Sequence, residues 1–232
     1  MITTNHLIND IRTIASSAAN SDDFKASDEL ILYWCNQVRS MLISQAIDKK
    51  NDISDTWLQT ISCLELELVD LSDCCDVELG CLGLRSVKEL PKTIETDSSN
   101  MIIGVYTLDG TLIDESDIST SRYSKYNKFT SNKRRWFIYN NKLHIINDIL
   151  LEKVSVTGIW EDPSDLANYI SCENQACWTY DSNYPVSMKM AGMITDIVFK
   201  TKCLPMMGVS IDNINDSSNV TGQQDQQNKG AE

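Results

Sequence analysis

Residues 26–49, ASDELILYWCNQVRSMLISQAIDK, carry the clearest helical pattern in the chain. Ser27 stands ahead of Asp28 and Glu29, and a helix N-terminus prefers an acceptor side chain followed by acids. Apolar residues then recur at steps of three and four: Leu30, Ile31, Trp34, Val38, Met41, Leu42 and Ala46. The pattern predicts an amphipathic helix with one stripe facing a core.

Further helices are predicted on both sides of this stretch. An apolar stripe at residues 7–18 indicates a helix from about residue 3 to 19, and a stripe at residues 190–198 indicates another from about 186 to 202. A short helix is expected to begin at Asp162-Pro163, because an acidic cap followed by proline at the first helical position favours a helix start.

The middle of the chain has the pattern of strands. Residues 64–68, LELEL, alternate apolar and acidic side chains, as a half-buried strand does. Asp109-Gly110 and Asn140-Asn141 tolerate the positive φ angles of a two-residue hairpin turn, so each predicts a hairpin. The strands expected around these turns are residues 101–108, 111–113, 135–139 and 142–146.

These elements together predict an α+β protein. Helices at both ends of the chain each need a partner for one apolar stripe, so we expect them to pack as a small bundle around an inserted β-rich subdomain of antiparallel hairpins. The expected helical body is 1–60 and 161–204, the β-rich insertion is 61–160, and 205–232 form a flexible, polar C-terminal arm. Its last 21 residues, 212–232, include four Asn and four Gln, and fully extended they could span about 70 Å, far enough to reach a neighbouring subunit.

Composition excludes several function classes. The 232 residues include 33 acids and 20 Lys and Arg, a net charge of −13, whereas proteins that wrap nucleic acid or bind acidic membranes carry a basic surface. Apolar runs are far shorter than the roughly 18 residues that span a bilayer, so no membrane segment is expected. No motif joins a nucleophile to a base, and the two histidines, His6 and His144, lie in an ordinary helix and strand pattern. We therefore expect a protein that is not an enzyme.

The eight cysteines allow several interpretations. The N-terminus carries no secretion-type leader, so reduced, mostly buried thiols are the first expectation. Cys74 and Cys81 together with Cys172 and Cys177 could alternatively hold a structural zinc, one pair from each group, since the spacing of the second pair falls within the range of thiolate sites. A disulfide ranks below both. No other cofactor is expected.

Charge is concentrated in one segment. Residues 121–142 contain seven cations and no acid, and aromatic residues interleave with them. The candidate partner-contact residues are Arg122, Lys125, Lys128, Lys133, Arg134, Arg135 and Trp136. An acidic partner, including another copy of this chain, is the first interpretation, ahead of a solvated loop and of a nucleic-acid surface.

Several stretches resemble one known family. Residues 26–70, 84–95 (LRSVKELPKTIE), 121–148, 156–166 (VTGIWEDPSDL) and 184–202 resemble the structural ring, or head-to-tail connector, proteins of crAss-like phages, which are tailed double-stranded DNA viruses of gut bacteria. The resemblance covers most of residues 3–204, and its segments contain no catalytic signature.

The resemblance implies a virion protein assembled in the host cytoplasm. Copies would form a ring, a dodecamer by analogy with the adaptors of short-tailed phages, that contacts the portal and other tail proteins. Genomic DNA would pass through the channel without sequence-specific binding, which suits a strongly acidic body. The alternative is an intracellular, metal-stabilised, Cys-rich protein-binding module unrelated to any virion.

Overall fold

The computed structural model describes residues 2–19, 26–49, 52–70, 82–96, 101–119, 129 and 133–207. The helices are α1 (Thr4–Ala19), α2 (Asp28–Asp48) and α3 (Met188–Val198), and α3 continues into a π-helical turn (Phe199–Cys203) and a last turn (Leu204–Met206). Short 3-10 helices occupy Asp55–Trp57 and Pro163–Asn168. The strands are β1 (Gln59–Asp70), β2 (Leu82–Ser86), β3 (Ile102–Thr107), β4 (Leu112–Glu115), β5 (Arg135–Tyr139), β6 (Lys142–Ile146) and β7 (Lys153–Gly158).

The strands form a closed barrel in the order β1-β2-β6-β5-β4-β3-β7. Every neighbouring pair is antiparallel except β4 and β5, where Asp114 lies opposite Arg135 in a parallel pair. Strand β1 has 12 residues and pairs with β7 through its first half and with β2 through its second. Its register shifts between Ile61 and Leu64, and such an irregularity bends a strand so that the sheet can close on itself.

One hydrophobic core joins the barrel to the helices. The barrel contributes Ile61, Val105, Leu143, Ile145 and Val156, and the helices contribute Leu7, Ile11, Ile31, Cys35, Ile194 and Val198. Along β7 the buried residues alternate with half-buried ones, as expected for a strand with one face toward a filled barrel interior. The helices therefore stabilise the barrel by covering it.

The expected fold class is wrong. The structure is a closed seven-stranded barrel with helices packed on it, and it is not a helical bundle with an inserted subdomain of hairpins. The three predicted helices form. The Asn140-Asn141 turn is confirmed, with φ of 49° and 58°. The hairpin at Asp109-Gly110 also forms, but only Gly110 has a positive φ, 87°, and the bond from the N–H of Thr107 to the carbonyl oxygen of Thr111 makes its loop three residues long where two were expected. The fold class was predicted wrongly because closure of the barrel depends on which strands pair. Strand β1 pairs with two partners and β4 pairs with β5 in parallel, and the local periodicity of the sequence does not encode such pairing.

A buried arginine anchors α2 to the barrel. The side chain of Arg39 is completely buried. Its Nη1 donates to the carbonyl oxygen of Trp160 at 2.7 Å, Nε to that of Pro185 at 3.2 Å, and Nη2 to that of Trp57 at 3.4 Å. Burial lowers the pKa of Arg39 to about 10, an effect that nearby Tyr184 partly opposes, so the guanidinium stays charged at neutral pH.

The next turn of α2 adds a second polar contact. Asn36 donates through Nδ2 to Oδ1 of Asp162 at 2.9 Å and accepts from the hydroxyl of Tyr184 at 2.8 Å. Asp162 also accepts from the backbone N–H of Ser164 at 2.8 Å, which is the predicted cap of the short helix. Three stretches of the family resemblance, 26–70, 156–166 and 184–202, thus meet in one buried polar cluster.

The C-terminal arm lies almost entirely outside the described residues, which end at Met207. Among the helices that are described, none is long and apolar enough to cross a bilayer.

Candidate functional site at one end of the barrel

The two ends of the barrel differ. At one end, Ile43 of α2 packs with Trp57, Met101 and Ile159, and we call this the helix end. The opposite end gathers the end of β1, the starts of β2 and β5, the β3–β4 turn and the β6–β7 connection. The strand register places these together, because Asp70 pairs with Leu82, Leu84 with Ile145, and Thr107 with Val154. We call it the loop end.

Six exposed apolar side chains belong to the loop end: Leu68, Leu82, Leu108, Leu112, Ile149 and Leu150. Leu150 is 86% exposed and Leu108 is 58% exposed. These two leucines line a cleft of about 390 Å³ together with Arg134 and with other charged residues, Asp109, Glu152 and Lys153. Exposed apolar side chains next to charged ones are a common feature of protein contact sites, whereas single exposed leucines are ordinary.

An ion pair fixes the loop that carries Leu150. Nε of Arg134 lies 2.7 Å from Oδ2 of Asp148, whose side chain is only 9% exposed. The other oxygen, Oδ1, accepts from the backbone N–H of Leu150 at 2.8 Å. Asn147 donates through Nδ2 to the carbonyl oxygen of Lys133 at 2.8 Å and has a φ of 65°. The β6–β7 connection is therefore tied to the start of β5, and Arg134 positions Leu150 as well as presenting charge.

The other predicted contact residues have different environments. Lys133 is exposed, and Arg135 is half-buried on β5. Trp136 is 3% exposed inside the barrel, where its Nε1 donates to the carbonyl oxygen of Ile113 at 3.0 Å, so it packs in the core and offers no surface to a partner. Arg122, Lys125 and Lys128 lie outside the described residues. Of the seven candidates, the structure thus brings Lys133, Arg134 and Arg135 to the loop end.

His144 lies in a strand, β6, as the sequence pattern predicted. The pattern did not indicate that its side chain is buried. It is 3% exposed and stacks on Phe137, with ring centroids 5.2 Å apart. Burial lowers its pKa to about 4, helped by the positive charges of Arg85 and Lys142. His144 is therefore neutral at pH 7.

The cysteines differ from the first expectation. Cys172 forms a disulfide with Cys63 on β1, so the expected reduced thiol is wrong at this position and Cys172 is not a free zinc ligand here. Cys177 is a half-buried free thiol. Burial raises the pKa of Cys35 to about 12, with a further contribution from Cys203, which makes Cys35 an unreactive core residue.

Two of the four candidate zinc ligands, Cys74 and Cys81, lie outside the described residues. In the part of the chain that is described, no group of three His, Cys, Asp or Glu side chains is arranged to hold a metal ion. The metal-stabilised module stays a prediction.

Comparison with known proteins agrees with a structural role. The barrel is covered by α2 at one end and exposes leucines beside the Arg134–Asp148 ion pair at the other. The chain matches the family described as phage tail ring protein 2 over residues 6–226, and it belongs to this family of crAss-like phage tail ring proteins. No curated protein matches the chain.

Family membership confirms the resemblance found in the sequence. It places the chain in the tail of the virion, agrees with a structural role, and implies assembly with other tail proteins.

Proposed function

We propose that the chain is the repeating subunit of a ring in the head-to-tail connector, where it extends the DNA channel below the portal and docks the neighbouring tail proteins. Subunits would assemble in the host cytoplasm, as a dodecamer by analogy with other phage adaptors. The observation that carries the proposal is the loop end, where Leu108 and Leu150 are exposed beside Arg134.

A ring needs two different contact surfaces on each subunit. In a closed ring with head-to-tail contacts, one patch of each subunit binds a different patch of the next subunit. The two ends of this barrel offer two different surfaces, because α2 covers one end and loops with exposed leucines occupy the other. Burying Leu150 at an interface would remove from water a side chain that is 86% exposed in the free subunit, and such anchors supply much of the affinity of an interface.

The charge distribution supports a DNA conduit. The chain carries a net charge of −13, while Lys133, Arg134 and Arg135 are consecutive cations at the loop end. Acidic side chains facing a channel repel phosphate and let DNA slide past. Cations held at a subunit contact can meet an acidic neighbour, and salt screens them beyond about 8 Å. In this arrangement genomic DNA passes through the ring without sequence-specific binding.

The test is electron microscopy of the purified chain and of two variants. Leu150→Asp places a charge at the most exposed leucine of the loop end, and Tyr180→Asp is the matched control, because Tyr180 is 37% exposed and belongs neither to α2 nor to the loop end. We expect rings from the native chain and from Tyr180→Asp, and at least a tenfold loss of rings from Leu150→Asp. Equal assembly of all three chains would contradict the placement of the interface at the loop end.

A neutral substitution separates the two roles of Arg134. Reversal by Arg134→Glu breaks the ion pair with Asp148 and also removes a cation from the surface. Arg134→Gln removes the charge but places an amide donor, Nε2, the same number of bonds from the backbone as the Nε that contacts Asp148, and Asp148 keeps its bond from the Leu150 N–H. If Arg134 acts only by positioning Leu150, Arg134→Gln should keep co-purification with the portal protein. If the exposed cation contacts the partner, Arg134→Gln should be as defective as Arg134→Glu.

A further inference from the structure

A second apolar surface lies between α1 and α3, on segments that take no part in the loop end. Helices α1 and α3 flank a groove of about 510 Å³ that is lined by Ile14, Met188, Ala191 and Phe199, among others. Met188 is 66% exposed and Ile14 is 40% exposed. A groove of this size with exposed apolar walls has the form of a site for an extended or helical peptide.

The floor of the groove is open enough for a close approach. Gly192 lies on it, and a Cβ built at Gly192 meets no atom within 4 Å. Ala191, the preceding residue of α3, also lines the groove and has a short side chain. Two small residues side by side leave space for inserted side chains between Ile14 on α1 and Met188 on α3.

The chain itself supplies a segment of suitable chemistry. Residues 208–214 read GVSIDNI, with apolar side chains at Val209, Ile211 and Ile214, and the remaining residues to 232 are almost entirely polar. We propose that the groove of one subunit binds residues 209–214 of a neighbouring copy of this chain, an inference that rests on the proposed ring function.

Reach favours a neighbouring copy over the same chain. A helix rises about 1.5 Å per residue, so along the helix axis Phe199 lies about 12 Å from Met207. Gly192, near the groove centre, lies about 22 Å from Met207 on the same rise. A fully extended chain leaving Met207 advances at most about 3.4 Å per residue. Within one chain, Val209 could travel about 7 Å, which stops short of Phe199, Ile211 about 14 Å, which reaches only the Phe199 edge, and Ile214 about 24 Å, which reaches the groove centre. The same chain can therefore seat at most two of the three apolar side chains, whereas a segment donated by another copy can seat all three.

Position-specific crosslinking in the full chain tests the proposal. Two variants are made with different affinity tags, Ile14→Cys on the groove wall and Ile211→Cys in the proposed segment, then mixed and treated with a short bismaleimide. We expect a covalent heterodimer that carries both tags. The matched control replaces Ile14→Cys by Met41→Cys, since Met41 is 44% exposed on α2 and lies outside the groove. Its yield should match the background from the native cysteines.

Two further measurements make the result decisive. Adding Gly192→Leu to the Ile14→Cys chain fills the groove and should lower the heterodimer yield at least fivefold. A chain with both Ile14→Cys and Ile211→Cys should give dimers and larger products. A monomer-sized internal crosslink in that chain, or a heterodimer yield no higher than with Met41→Cys, would overturn the proposal.

Electron microscopy of the same samples distinguishes this proposal from the ring function. If rings form but the crosslink does not, the result contradicts the proposed groove contact and leaves the ring role intact. A groove-dependent heterodimer in samples that never form rings would sustain the groove contact and count against the ring role.

Discussion

Replacing Arg39 by methionine tests whether the buried guanidinium holds α2 on the barrel. Methionine keeps an unbranched apolar side chain in the same space but removes every donor. The carbonyl oxygens of Trp160, Pro185 and Trp57, now bonded at 2.7, 3.2 and 3.4 Å, would lose this donor. Buried acceptors without a partner destabilise a fold because they gave up water on folding.

The magnitude follows from two opposing effects. Hydrogen bonds from a charged donor contribute about 1.5–3 kcal/mol each, so two short bonds and one long bond amount to about 6 kcal/mol. The pKa of Arg39 falls from 12.5 to about 10 on burial. At 1.36 kcal/mol per pKa unit, burial of the charge costs about 3 kcal/mol, which the substitution relieves. Arg39→Met should therefore lower the free energy of unfolding by about 3 kcal/mol.

Urea denaturation followed by tryptophan fluorescence measures this difference, because Trp57 and Trp160 lie beside Arg39. With a slope of about 3 kcal/mol per molar urea, the midpoint should fall by about 1 M. Arg12→Met is the matched control: Arg12 pairs with Asp28 on the surface, with side chains 40% and 53% exposed, and such pairs contribute less than about 1 kcal/mol. If Arg39→Met changes stability no more than Arg12→Met, the three carbonyl contacts do not hold the helix in place.

Three further outcomes are expected. The folded-state pKa of His144 is about 4, below the usual 6.5. As the pH falls, the unfolded chain therefore takes up the proton first, and the free energy of unfolding should fall by up to about 3 kcal/mol between pH 6.5 and 4. His144→Phe should lose this part of the pH dependence, and a pH profile identical to that of the native chain would contradict the buried, neutral histidine. The Cys63–Cys172 disulfide spans 109 residues, so Cys63→Ser should lower stability by about 4–5 kcal/mol under oxidising conditions and make it insensitive to reductant; equal stability of the two oxidised chains would speak against the crosslink. Asp162→Ala removes the cap to Ser164 and the bond from Asn36 and should reduce the free energy of unfolding by about 2 kcal/mol in the same urea assay, whereas an unchanged midpoint would show that neither contact contributes.

Local features of this fold could be predicted because they depend on neighbours in sequence. Ser27 ahead of Asp28 marks the start of α2, and its side chain does accept from the N–H of Leu30. The Asn140-Asn141 turn has the backbone that its residue types favour. Periodicity and turn chemistry act over a few residues, so these elements can be recognised without knowledge of the whole chain.

Barrel closure and the site depend on residues that are distant in sequence. Strand β1 must find both β2 and β7, and Cys63 must find Cys172 across 109 residues. Trp136 illustrates a misinterpreted signal: its place among cations favoured a surface role, yet it packs in the main core, while its neighbour Phe137 packs in a separate cluster with Ile146, as side chains on opposite faces of a strand do. Leu108 and Leu150 carried no local signal, because their exposure follows from how the barrel ends.

Cryo-electron microscopy of the purified full chain, alone and with the portal protein, tests the central claim most directly. The account predicts closed rings of one fixed copy number, in which the loop end with Leu108 and Leu150 is buried against a neighbouring protein. Monomers at every concentration that never form or join a ring would contradict it.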